Sequence, residues 1–239
     1  MCGRFNVEAD PLSRLLMELV QLPHPGPDNH NAAPTEDVVV LRRGEHGEPQ
    51  LPSMRWWLTP YWAKEPGTRY SMFNARSEGV AQSRAFREPF RKRRCAVPVS
   101  GFYEWAPAEP PRSGKRAYYL RPLDQPGMLI AGIWDRWRHP DGGAELLSFA
   151  ILTTAAHPGI EFVHSRQPVM LSAADAECWL DPAVTGDDLQ HLLGARLPVA
   201  LEVVPVSSWV NNARHKGPRC IEPVGASVAV AASAASGER

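Results

Sequence analysis

The chain has 239 residues with 26 basic and 26 acidic side chains, so its zero formal charge gives no global pull toward nucleic acid or an acidic membrane. That length supports one domain with a substantial core. Its four cysteines, Cys2, Cys95, Cys178 and Cys220, are too scattered for a disulfide framework or a structural zinc site, and a reducing cytoplasm is expected. Neither a charged and apolar leader nor an uncharged run long enough for a bilayer follows Met1, so no membrane partner is expected.

In chain order, residues 10–21 read as a helix, with Asp10 as cap, Pro11 in the first turn and Leu12, Leu15, Leu16 and Leu19 at helical spacing. Strands are expected at Val38–Leu41, Cys95–Val99, Ala117–Leu120, Met128–Trp134, Leu146–Thr153 and Val199–Val206, where β-branched and aliphatic residues lie between turn signals. Ser172 with Asp175 three residues on is a capping-box pattern for a helix from Ala173 to Leu180, and a shorter helix is read at Asp187–Leu193. There is no β-α-β alternation, phosphate loop or internal repeat. The expectation is an α+β fold in one domain, residues 1–225, on a curved, barrel-like, mainly antiparallel sheet with flanking helices. Residues 226–239, rich in Ala, Ser and Val, are read as a disordered tail.

Two features carry chemistry. Removal of Met1 would make Cys2 the N-terminal residue, with an amine and a thiol on adjacent carbons. Such an α-amine is roughly 2.5 units more acidic than a lysine ammonium. It can form an imine with an aldehyde, after which the sulfur closes a five-membered thiazolidine on the same carbon. The second feature is local charge. Arg69, Arg76, Arg84, Arg87, Arg91, Lys92, Arg93 and Arg94 face only Glu78 and Glu88 in the same stretch, and Trp56, Trp57, Tyr61 and Trp62 precede them. Basic residues beside aromatics suit a single-strand groove, although a solvated basic face next to a Trp-rich core has the same composition.

Six blocks in order, Met1-Cys2-Gly3-Arg4-Phe5, Asn31-Ala32-Ala33-Pro34, Asn74-Ala75-Arg76-Ser77-Glu78, Arg94–Pro98 running into Gly101-Phe102-Tyr103-Glu104-Trp105, Thr153-Thr154-Ala155 and His164-Ser165-Arg166-Gln167-Pro168, resemble the SOS response-associated peptidase (SRAP) family of abasic-site processing proteins. The resemblance runs from Met1 to about Pro223. It implies covalent, reversible capture of abasic sites in single-stranded DNA, single-strand/double-strand junctions included, by a monomer that needs no cofactor and no metal. By position it implies Cys2 as nucleophile, Asn74 on the opened sugar, Glu104 as acid/base and His164 assisting ring opening and reversal. Gly3, Arg4, Pro34, Trp62, Arg76, Arg84 and Thr154 would line the DNA. The residues agree: a carboxyl among Phe102, Tyr103 and Trp105 should hold its proton more tightly, and imidazole readily exchanges protons at neutral pH. Gln167 and Trp57 depart from the methionine and glycine usual in the family, and Ser100 from the usual acidic residue. Gln167, so near His164, could alter how that ring is oriented. The alternatives are an N-terminal-nucleophile thiol peptidase or autoprotease, and a non-covalent single-strand-binding module.

Overall fold

The computed structural model describes residues 2–108, 114–186 and 188–233. Strand β1 (Phe5–Val7) is followed by helix α1 (Ala9–Val20), then strands β2 (Asn29–Ala32), β3 (Asp37–Val39), β4 (Arg42–Arg43), β5 (Pro49–Gln50), β6 (Ser53–Trp56) and β7 (Asn74–Arg76). Helix α2 (Arg87–Lys92) leads into the long central strands β8 (Arg94–Val99), β9 (Gly101–Pro107), β10 (Lys115–Pro122), β11 (Met128–Arg138) and β12 (Glu145–Ala155). After β13 (Arg166–Pro168) and β14 (Met170–Leu171) come helix α3 (Ala173–Leu180) and strands β15 (Leu201–Pro205) and β16 (Val228–Val230).

The expected α+β architecture holds, but the strands do not close into one barrel. A six-stranded sheet runs β16-β15-β10-β9-β1-β2. An eight-stranded one runs β14-β11-β12-β6-β3, with β7 and β13 joined to β12 and β8 joined to β11. Nearly all pairings are antiparallel; β12 pairs in parallel with β6 and β7. Side-chain alternation divides the core. Phe5, Phe102, Leu120 and Val203 of the smaller sheet meet Val97, Ile130, Phe149 and Ile151 of the larger. Ala131, Ile133 and Leu152 face the other way, onto Phe90 and α3 residues Trp179 and Leu180.

The capping box at Ser172 is formed: its hydroxyl accepts from Asp175 N–H, and the Asp175 carboxylate accepts from Ser172 N–H. At α1 the cap is Glu8, with Asp10 in the first turn, where its negative charge suits the helix N-terminus. The helix expected at Asp187–Leu193 reduces to a single 3₁₀ turn, Gln190–Leu192, because burial of Leu189, Leu192 and Leu193 needs no further turn; Asp187 itself lies outside the described residues. The tail read as disordered is corrected in part. Val228–Val230 pair with Leu201–Val203, giving the smaller sheet its edge strand, and residues 234–239 lie outside the described residues. Val228 remains half exposed, so the composition there carried little core signal.

Candidate active site

The site begins with how the N-terminus is held. Phe5 is fully buried, its ring 4.6 Å from that of Trp56, and burial of such a side chain contributes about 1.5–3 kcal/mol. This pins a three-residue strand firmly enough to fix what precedes it. Phe5 pairs with Phe102 on β9, and Tyr103 N–H donates to Arg4 O at 3.0 Å, so the register brings Glu104 opposite Gly3 and beside Cys2. Phe102 and Ala106 point into the core between the sheets, and period-2 alternation turns Glu104 to that same side. Cys2 is fully buried there, its Sγ 3.8 Å from Arg4 O.

Burial and the Glu104 charge push the Cys2 thiol well above its ordinary value. Burial likewise raises the Glu104 carboxyl, while nearby positive charge, that of His164 included, pulls it back. The carboxyl can therefore hold a proton at a higher pH than a solvated glutamate, as the sequence implied.

Asn74 arrives from the other sheet. β7 pairs in parallel with β12, Asn74 against Ile151 and Arg76 against Thr153. Asn74 Nδ2 donates to Cys2 O at 2.8 Å, while its buried Oδ1 has no hydrogen-bond partner among the described residues. His164 lies in the β12–β13 connection, where its Nδ1 sits 2.9 Å from Arg166 N and 3.2 Å from Arg166 O, so the Arg166 main chain orients the ring. Thr154 is buried on β12 opposite Gln167, and Arg76 is exposed beyond Asn74. Arg166 forms an ion pair with Glu78 and donates to Thr153 O at 2.7 Å, fastening the turn after Arg76 to the strand after His164. That pair lay inside two quoted blocks, but nothing in linear spacing links residues so far apart.

Arg4 is more occupied than a free phosphate contact would be. Its Nη1 donates to Asn31 Oδ1 and Val210 O, both at 2.9 Å, and burial lowers its guanidinium, with Glu36 opposing. Asn31 in turn donates to the carbonyls of Val210, Asn212 and His215, clamping the 207–216 loop to the N-terminal strands. Sequence reading gave Asn31 no role. Pro34 lies two residues beyond the Phe5–Ala32 pair, on the side of Gly3. Thr35 after it takes φ 80°, a conformation that strains a β-branched residue.

The basic run divides. Arg84 stacks over Trp62 at 4.5 Å, and both stay exposed beside a groove of about 670 Å³ that Arg69, Tyr70 and Met72 help to line. Trp56, by contrast, is core. Arg94 leaves the surface altogether, its guanidinium donating to the carbonyls of Trp179, Phe90, Arg91, Asp181 and Val184. Gln167 also proves to be a tie. Its Oε1 accepts from His157 N–H at 2.7 Å and its Nε2 donates to Arg196 O at 2.8 Å, so the amide is engaged away from the His164 ring. Trp57 packs on Phe73, and Ser100 Oγ caps Glu8 N–H. Among the described residues, no cluster of His, Cys, Asp or Glu is arranged to hold a metal, and no helix is long and apolar enough to cross a membrane.

Two packed sheets thus bring a cysteine, an amide, a carboxyl and an imidazole together around the N-terminus. The chain belongs to the SOS response associated peptidase (SRAP) family, whose model matches residues 1–213. It is 32% identical over 230 residues to the abasic site processing protein YoqW of Bacillus subtilis, covering 93% of this chain and 99% of that one. It is 30% identical over 227 residues to the abasic site processing protein HMCES of Gallus gallus, covering 82% of this chain and 66% of that longer protein. A solved protein of Bacteroides thetaiotaomicron shares the fold with a TM-score of 0.78 at 22% identity, over 93% of this chain and all of the other.

Proposed function

We propose that this chain is an abasic-site sensor that captures the lesion covalently in single-stranded DNA through Cys2, once Met1 is removed. The observation that carries the reading is the grip of Asn74 on the Cys2 carbonyl at 2.8 Å, with Glu104 across the β1–β9 register. The names borne by the relatives point to the same lesion.

The ring-opened abasic sugar offers an aldehyde at C1′. The Cys2 amine adds to it, and the carbinolamine loses water as Glu104 supplies a proton, leaving an iminium. The Cys2 sulfur then adds to the same carbon and its proton passes to the carboxylate, closing the thiazolidine with net loss of one water. The raised thiol makes the amine the first nucleophile. Asn74 Oδ1 is an acceptor ready for the opened sugar, and His164 can take the proton of the anomeric hydroxyl and return one to the ring oxygen as the sugar opens. The same groups, run backwards, release the adduct, which while it lasts shields the lesion from strand cleavage. Arg76 holds a phosphate, and Gly3, Arg4, Pro34, Trp62, Arg84 and Thr154 line the strand, single-strand/double-strand junctions included. The protein acts as a monomer in the cytoplasm, at the nucleoid during damage.

The test is a heat-stable crosslink to an abasic oligonucleotide. Cys2→Ala should abolish it while leaving reversible strand binding, and Cys2→Ser, which keeps the amine, should give at most a labile imine. A heat-stable adduct of normal mass from Cys2→Ala would overturn the reading. Cys2-dependent cleavage of a peptide without DNA would favour the thiol peptidase instead.

A further inference from the structure

A second basic groove lies beyond the candidate site. It has a volume of about 770 Å³, and its walls carry Arg42, Lys92, Arg93 and Arg136 with Tyr61 and Trp134. The Arg42 guanidinium lies 4.5 Å over the Trp134 ring, which holds its plane. Arg42 Nε and Arg93 Nη2 are buried and donate to nothing among the described residues.

Of the carboxylates lining the groove, Asp135 and Glu48 are engaged within the protein, and Glu45 is exposed. Asp135 pairs with Arg93 Nε at 3.2 Å and accepts from Tyr61 N–H at 3.0 Å. Glu48 accepts from Gln50 Nε2 at 2.6 Å and from His46 N–H at 3.1 Å. Glu145, at the rim, is shared between Arg136 and Arg138. The like charge of Arg136 adds to burial in lowering the Arg42 guanidinium, as expected where two cations face a common space.

This groove adjoins the one beside Arg84 and Trp62. Consecutive residues divide between them: Trp62 lines the Arg84 groove and Tyr61 lines the Arg42 groove. The strand β12 measures the interval. Thr153 is in register with Arg76, and Ser148 is in register with Asp135, five residues back. At ~3.4 Å per residue that is about 17 Å. A stacked strand at ~3.4 Å per nucleotide covers it in about five nucleotides.

We propose that the Arg42–Arg93–Arg136 groove binds the phosphodiester backbone of the same DNA strand, about five nucleotides from the lesion. This rests on the reading of the chain as a single-strand DNA-binding protein. Arg42 and Arg136 supply charge to phosphates, and Tyr61 offers a ring face at the passage between the two grooves.

The experiment measures binding of undamaged fluorescent single strands of about 5 and about 20 nucleotides by anisotropy across a salt series. In Arg42→Gln/Arg136→Gln the long strand should bind about tenfold more weakly. Its salt slope should fall by about 1.4, at ~0.7 for each lost phosphate contact on a single strand. The short strand should bind as in the unaltered protein. Lys92→Gln, a change at the exposed rim that spares the Arg42–Trp134 stack, should lower the long-strand slope by about 0.7. Unchanged long-strand binding in both variants, or equal losses for both lengths, would overturn the proposal. Undamaged strands need no aminothiol, so this result stands apart from Cys2 chemistry, which a crosslink to a short abasic strand reports separately.

Discussion

Arg94 and the Cys2–Asn74–Glu104 cluster both bury polar groups among strands, yet they differ in how those groups are met. Every donor direction of Arg94 ends on a main-chain carbonyl, tying the ends of α2 and α3 to the sheet. At the N-terminus, Asn74 spends its amide N–H on Cys2 and, among the described residues, keeps a buried acceptor open, while burial raises both the Cys2 thiol and the Glu104 carboxyl. Buried polar groups ordinarily find partners, because an unmet one costs about 1–3 kcal/mol. Satisfied groups therefore mark scaffold, and the acceptor of Asn74 beside Cys2 marks where the proposed chemistry would take place. The same contrast separates Arg94 from Arg76, which shares its basic run but stays at the surface.

The largest effect should come from removing the proton donor at the poised end. Glu104→Gln keeps the volume but cannot shuttle a proton, so single-turnover crosslinking should slow by about 10²–10⁴-fold with strand affinity retained. The pH dependence has a defined sign. Burial raises the folded-state value, so the neutral carboxyl adds stability that is complete below the unfolded value and is lost as pH rises through the folded one. Glu104→Gln should therefore gain stability relative to the unaltered protein as pH rises across that window, and thermal melts across pH would check it. A wild-type crosslinking rate would leave Glu104 a structural role only.

Next comes the scaffold. Arg94→Met strips the donors from five carbonyls and should cost about 3–5 kcal/mol of stability, the scale for breaking a buried charged network. Denaturant melts measure it, and a loss below about 1 kcal/mol would place Arg94 among surface-type contacts. A smaller effect is expected at Gln167→Met, which installs the residue usual in the family. It leaves His157 N–H and Arg196 O without their partner and should cost about 1–3 kcal/mol while the crosslinking rate is unchanged. A changed rate with unchanged stability would reverse that assignment and tie Gln167 to His164 after all.

Much of this was legible in the sequence, and for local reasons. The Ser172–Asp175 capping box, the α1 stripe and the long central strands are encoded by spacing within single segments. The candidate site was readable because its members lie in short ordered motifs that resemble a family. What was not legible depends on contacts distant in sequence. Arg94 looks like any other member of a basic run until Trp179 and Asp181 are folded onto it. Asn31 holds a loop some 180 positions away, and Gln167 turns to Arg196 rather than to its near neighbour His164. The edge strand at Val228–Val230 escaped notice because a half-exposed edge needs only backbone pairing, which small residues supply as well as large ones.

The central claim is that the chain acts through the amine and thiol of Cys2, and the most direct test is the intact mass of the protein after incubation with single-stranded abasic DNA. The account predicts a chain lacking Met1 and joined to one strand, with a total mass lower by one water than the sum of the two. A protein that retains Met1 yet reacts, or one that lacks Met1 and shows no adduct with abasic DNA, would contradict it.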